Sequence, residues 1–265
     1  MLIENNGIKY YSSEKASNLY LQSGASVRHA FFTRVGGLSE PPFNTLNIDP
    51  RIGDDPISVS SNLKVISEVM GFDESKLVMV KQVHGDKIYK VEEHAMSSRN
   101  MEADAIITNA RGIAISVKTA DCVPLFIIDT ENSAVAAVHA GWRGTVEKIA
   151  AKTLNSMNEN YGTRSDQVAV IIGPHIKECC YEVSDDVKGA FEKAFYNNTD
   201  GFFNDRYLNL AEANKRALTD AGVGEDNIAT EGSCTCCNED LFFSHRRDGT
   251  PGPTGRQISI IIIKD

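Results

Sequence analysis

Residues 119–145 read TADCVPLFIIDTENSAVAAVHAGWRGT, and this stretch decides the fold. Two apolar runs, VPLFII and AVAAV, flank DTEN, a turn sequence. They read as a hairpin of two buried strands. DAIIT (104–108) and IAISVK (113–118) upstream read as two more. If Ile128 pairs with Ser133, Cys122 and His139 become cross-strand partners at the open end of the hairpin. Opposed residues on one face have Cβ atoms ~5 Å apart, close enough to share a metal ion. After His139, the residues Val146, Ile149, Ala150, Thr153, Leu154 and Met157 recur at helical spacing. The spacing predicts one amphipathic helix that begins beside His139 and ends before Gly162.

Working outward, the segment 60–70 is a helix with Leu63, Ile66, Val69 and Met70 on one face and Gly71 as its stop. Residues 77–84 and 87–91 read as a hairpin about Gly85-Asp86, with a type II′ turn. AFFTR (30–34) is a strand that enters a loop rich in Gly and Pro. VAVII ends at Gly173-Pro174, and helices are expected near 185–196 and 210–221, the second capped by Asn209. ISIIII closes the chain as a strand. No repeat, low-complexity tract or Pro/Ser-rich linker marks a boundary, so residues 1–265 read as a single domain. Hairpins mixed with strand–helix units predict an α+β fold of mixed β-sheets flanked by helices.

The chain has 265 residues, 42% hydrophobic and 24% charged, which excludes a disordered or collagen-like protein. Its net charge of −9 argues against binding to a nucleic-acid backbone. A small anion held by a few arginines remains compatible with it. No apolar run approaches the ~20 residues of a membrane span, and no basic-then-apolar leader opens the chain. Four of the six cysteines form the adjacent pairs Cys179-Cys180 and Cys236-Cys237, which suits a reduced, cytoplasmic setting.

Chemistry concentrates around Cys122 and His139, with His84 at another predicted strand end as a third donor. Two imidazoles and a thiolate suit zinc with an open fourth position. The same residues permit Cys122 as a thiolate nucleophile with His139 as its base. The bland alternative is a buried Cys and a satisfied core His. Arg143 in GWRG sits in the first turn of the predicted helix, where an anion is favoured. Arg34, Arg246 and Arg247 are weaker phosphate candidates, or solvated loop residues. Asp121 is a proton carrier, a partner to a metal ligand, or a turn cap. Cys234 and Cys237 form a C-x-x-C that could join Cys179-Cys180 in a second metal site. Cys236 inside the pair and the adjacency of Cys179 and Cys180 favour buried, non-ligating thiols instead. Six histidines without an H-x-H pair are a poor basis for a multicopper cluster.

Eight blocks together carry a resemblance: FFTRVGGLSEPPFNTLNI, VKQVHGD, EADAIIT, TADCVPLFIID, AVHAGWRGT, IGPHIKECCYEV, CTCC and FFSHRRDGTPGPTGRQ. They resemble the YfiH-like family, earlier labelled polyphenol oxidases or laccase-domain proteins. The resemblance covers residues 30–265, and QVHG followed by TADC and HAGWRG is its most specific part. It implies a compact α+β fold with one zinc per chain held by His84, Cys122 and His139. The implied activity is phosphorolysis of adenosine, inosine and methylthioadenosine, with deamination of adenosine. On that reading phosphate attacks the anomeric carbon, held by Arg143 with Arg34 or Arg247 as helpers. For deamination, water activated at the metal attacks C6 of adenine, with Asp121 moving a proton. The resemblance also implies rivals. One is a hydrolase, cysteine- or zinc-dependent, that cleaves an amide in a peptidoglycan precursor. Others are a non-catalytic zinc protein and a copper-dependent phenol oxidase. His175 departs from the small residue or Cys that relatives often carry there, and if it faces the site it alters metal or substrate preference.

Overall fold

The computed structural model describes residues 1–14, 21, 24–92, 100–249 and 252–264; Thr250-Pro251 of the FFSHRRDGTPGPTGRQ segment lies outside them. One mixed sheet of six strands runs β1 (Leu2–Asn5), β2 (Ile8–Tyr11), β3 (Ser26–Phe32), β14 (Gln257–Lys264), β7 (Ala114–Thr119), β4 (Leu77–Val78). The second, also six-stranded, runs β13 (Ile228–Thr230), β10 (Val168–Ile172), β8 (Val123–Asp129), β9 (Ala134–Ala140), β6 (Ala105–Thr108), β5 (Ile88–Lys90). A short ribbon joins β11 (Phe203–Asn204) to β12 (Tyr207–Leu208). The helices are α1 (Pro56–Met70), α2 (Trp142–Val146), α3 (Ile149–Tyr161), α4 (Asp185–Ala194), α5 (Leu210–Asp220) and α6 (His245–Asp248). None of the described helices is long and apolar enough to cross a membrane.

The two sheets pack face to face, and side-chain alternation sorts the apolar residues into three interiors. Ile261 and Ile263 of β14 point between the sheets, beside Val27, Phe31, Ile115 and Val117. Ile106, Phe126, Ile128, Val135 and Ala137 answer from the second sheet. Ile258, Ile260 and Ile262 point the other way, onto Leu63, Ile66, Val69 and Met70 of α1. The far face of the second sheet is covered by Leu154 and Met157 of α3 and Leu218 of α5. The layers therefore run helix, sheet, sheet, helices. Sheets covered on both faces explain why β8 and β9 are buried at every position and read as unbroken apolar runs.

Phe31 and Phe126 stack across the sheet interface with ring centroids 4.6 Å apart. Gly173 lies flat against the Phe31 ring, and a Cβ there would enter the ring's contact distance. Gly173→Ala is expected to destabilise the fold by about 1–3 kcal/mol through overpacking. An unchanged urea midpoint would show that this interface yields.

Several boundaries differ from the sequence reading. The β8–β9 register pairs Ile128 with Val135 and Pro124 with His139, not Ile128 with Ser133. The turn still has four residues but sits one position later, at 130–133, with Ser133 at φ 52°. The slip is two residues, an even number, so no side chain changes face. Residues 77–91 are not a hairpin. β4 pairs parallel with β7 in one sheet, and β5 pairs parallel with β6 in the other. The chain crosses between sheets at His84-Gly85, and the type II′ turn is replaced by this crossing. The predicted helix after His139 is two helices, broken where Lys148 takes φ 57°. α1 starts earlier than expected because Pro56 follows Asp55, whose carboxylate caps the amides of Ile57 and Ser58. β3 ends before Arg34.

Candidate active site

The open end of the β8–β9 hairpin meets the crossing loop. His84, Cys122 and His139 bring one ligand atom each within 4.8 Å of one another. Asp104 at the head of β6 holds the His139 ring and the His84 backbone. Its Oδ1 accepts from His139 Nδ1 at 2.8 Å and from the His84 amide at 2.9 Å. Its Oδ2 accepts from the amides of Gly85 at 2.8 Å and Val83 at 3.2 Å. One carboxylate thus pins the crossing loop, holds His84 at φ 58°, and leaves His139 Nε2 free to face Cys122. The rings of His84 and His139 stand edge to face, centroids 4.8 Å apart. Gly141 closes the cage: a Cβ there would lie 3.2 Å from both Cys122 Sγ and His84 Cδ2.

Burial alone would push the Cys122 thiol up and the His139 imidazolium down. Their mutual attraction reverses both. Cys122 falls to about 6, with His84 adding to the effect. His139 rises to about 9, with Asp104 adding its charge. A thiolate beside two imidazoles is a donor set ready for a metal ion, and no fourth His, Cys, Asp or Glu joins it among the described residues.

The cage opens into a cavity of about 650 Å³, within the range of small-molecule sites. Arg51, Lys118, Arg143, Arg246 and Arg256 line it, against the carboxylates of Asp49 and Asp121. A net-acidic chain has therefore gathered positive charge at one place. Asp49 is paired with Arg51 at 2.7 Å and Lys118 at 2.9 Å, and despite its burial these cations hold its carboxyl well below the usual range. Burial lowers Lys118 and Arg256 from their ordinary values. Tyr181 is another wall; burial and the Cys122 thiolate push its hydroxyl up to about 12, so it remains a donor.

The predicted residues are not all brought together. Arg143 lines the cavity, exposed, with its guanidinium 4.4 Å above the Trp142 ring. Arg34 lies outside the lining. It donates to Asn44 O and Glu239 O and stacks on Phe243, because it ties two loops together. Arg247 is likewise spent on Thr235 O, Cys236 O and Phe242 O and on Asp248; its neighbour Arg246 lines the cavity while donating to Cys180 O and Glu182 O. Asp121 lines the cavity at φ 103°. Its Oδ1 accepts from Thr235 Oγ1 and its Oδ2 from the Arg246 amide, each at 2.7 Å. His175 does not face the site; it is buried, with Nδ1 on Gly173 O at 2.8 Å. Sequence reasoning missed Asp104, Arg51, Lys118 and Arg256. The only sign of Asp104 was its position in EADAIIT, where it read as the start of a strand.

Four similarities to known proteins bear on this geometry. The purine nucleoside phosphorylase of Deinococcus radiodurans is 37% identical over 237 residues, covering 89% of each chain. Adenosine deaminase RL5, from an unknown prokaryotic organism, is 35% identical over 219 residues, covering 78% of this chain and 83% of its own. The crystal structure of the hypothetical protein YfiH of Bacillus licheniformis matches at TM-score 0.89 and 30% identity, covering 99% of both chains. The family model described as multi-copper polyphenol oxidoreductase laccase matches residues 28–264. By fold and by sequence along nearly its whole length, the chain belongs to this laccase-like YfiH family.

Proposed function

We propose that this chain is a purine nucleoside phosphorylase that also deaminates adenosine, and that zinc occupies the His84–Cys122–His139 cage. The observation that carries the reading is the cage itself, set in a cavity whose wall is cationic in an acidic protein. Nucleoside and phosphate suit such a wall, and the names of the relatives point the same way. A zinc ion bound there supplies positive charge that acidifies water and polarises the substrate.

The chain's own residues do the rest. Arg143 holds phosphate in the cavity, with Arg246 and Arg256 extending the positive field. A phosphate oxygen attacks the anomeric carbon as the glycosidic C–N bond breaks and its electron pair passes to the purine, which takes a proton. Charge placed in advance favours that oxocarbenium-like transition state. The Trp142 and Tyr181 rings offer flat apolar surface to the base. Both Asp121 oxygens are engaged, which supports a positioning role over the proton transfer expected from sequence. Two imidazoles converge in the cage and His245 lines the cavity outside it, while His29 and His175 are buried elsewhere; that donor supply does not support a multicopper cluster.

The test is product analysis of adenosine with and without phosphate. Adenine and ribose 1-phosphate that appear only with phosphate would support phosphorolysis, and inosine in both reactions would support deamination. Untouched adenosine would refute both. Arg143→Ala is expected to raise KM for phosphate about ten- to a hundredfold, the worth of one charge-assisted contact. Its melting point should not move, since the guanidinium makes no hydrogen bond or ion pair among the described residues.

A second reading has one observation behind it. Cys122, His139 and Asp104 stand in the order nucleophile, base, orienting acid, as in cysteine hydrolases. That reading expects amide cleavage, as in a cell-wall precursor, by metal-free protein and its loss with iodoacetamide. If metal-loaded protein is the active form and metal shields it from iodoacetamide, the nucleophile reading fails.

A further inference from the structure

Behind Asp121, outside the cavity, a second group of side chains converges. The sulfurs of Cys179, Cys180, Cys234 and Cys237 all lie within 4.8 Å of one another. Cys237 Sγ is 3.5 Å from Cys179 Sγ and 3.3 Å from Cys180 Sγ, and all four cysteines are free thiols. A tetrahedral zinc with Zn–S bonds of ~2.3 Å separates its sulfurs by ~3.8 Å, so small shifts complete the cage. We propose that these four cysteines hold a second zinc ion, in a closed tetrathiolate site with a structural role. It goes beyond the reaction assigned to the cavity and does not rest on it.

Sequence spacing argued against this site, and local geometry removes the objection. The amides of Cys180 and Tyr181 both donate to Lys177 O, at 2.9 and 3.0 Å. That tight turn lets two consecutive thiols reach one point. Residues 234–237 form a second turn. The Lys177 amide, on the first turn, donates to Cys234 Sγ on the second at 3.4 Å. Amide N–H groups directed at a sulfur favour its thiolate form. Cys236 falls outside the quartet and contributes its carbonyl instead, which accepts from Arg247 at 2.9 Å. A disulfide would use Cys237 with Cys179 or with Cys180, and would strand the other; one ion uses all four.

Charge and access agree. Four thiolates on one zinc carry a net −2, and three cations already lean on this cluster's backbone. Arg246 donates to Cys180 O at 3.2 Å, Arg247 to Cys236 O, and Lys177 to Gly232 O at 3.3 Å. Cys179 and Cys237 are exposed, so an ion can enter from solvent. The zinc would tie the loop after β10 to the loop before α6. Those loops carry Ile176 and Tyr181 of the cavity wall and Thr235, which holds Asp121, and the second leads into α6 with Arg246.

Metal counting on protein purified under reductant tests the site. Wild type is expected to carry two zinc ions per chain, and C234S/C237S and H84A/H139A one each. C234S/C237S should also melt lower, as closed structural sites contribute folding energy. If C234S/C237S does not fold, H84A/H139A decides alone. One zinc retained there, replaceable by cobalt with the sulfur-to-metal absorption of a tetrathiolate, supports the site. No zinc in H84A/H139A, iron in its place, or a disulfide found by mass overturns it. These counts do not depend on whether adenosine is cleaved, so this site and the phosphorylase reading fail separately.

Discussion

Cys122→Ala is expected to empty the cage in the cavity and to lower adenosine turnover by about a thousandfold or more. Cys122 is the anionic donor of the cage, and its thiolate is what offsets the charge of an ion beside two imidazoles. Metal-supplied charge stabilisation is worth several kcal/mol, at ~1.4 kcal/mol per tenfold in rate. The fold should survive, because Cys122 precedes β8 and is not part of an interior packing cluster. Steady-state kinetics alongside metal analysis checks this. Full turnover in protein that has lost the cavity metal would mean that chemistry occurs elsewhere.

Asp104→Asn is the second large effect. Asp104 accepts four hydrogen bonds, from His139 Nδ1 and from the amides of Val83, His84 and Gly85. An amide side chain must present N–H donors to some of these donors. It also leaves His139 without the charge that fixes its tautomer. Metal affinity is expected to fall about 10- to 100-fold in a chelator competition. The pH dependence sharpens the test. In metal-free protein His139 keeps its proton up to about 9, and Cys122 loses its proton above about 6. Between those values a metal ion displaces one proton, from His139, so affinity should rise about tenfold per pH unit. Below about 6 the thiol is protonated too, and the fall should steepen. In Asp104→Asn the imidazolium is held less firmly, so the rise in affinity should finish at lower pH. An unchanged profile would deny Asp104 its orienting role.

The elements themselves were legible because they are local. Unbroken apolar runs on either side of a turn sequence mark β8 and β9, and a period near 3.6 marks α1 and α3, whatever packs on them. Cys122 and His139 were found together although the register was wrong, since a slip of two residues preserves the face. Connections were less legible. Gly85 read as a hairpin turn, but the path of residues 83–85 is set by a carboxylate from β6, about twenty residues away in sequence. Lys148 breaks a helix that apolar spacing alone would continue. Arginines were the hardest to assign. Arg34, Arg143, Arg246 and Arg247 look alike in sequence, and only packing shows which guanidinium is consumed by carbonyls and which faces the cavity. The clustering of the four cysteines was hidden for a similar reason: spacing rules describe single turns, and two turns bring these sulfurs together.

In the proposed reading, one metal-holding cavity cleaves nucleosides with phosphate. The most direct test is reconstitution of metal-stripped protein with zinc or with copper, followed by adenine release from adenosine with and without phosphate. Release is expected only with zinc and phosphate together. Undiminished release by stripped protein, release independent of phosphate, or activity that follows copper alone would contradict it.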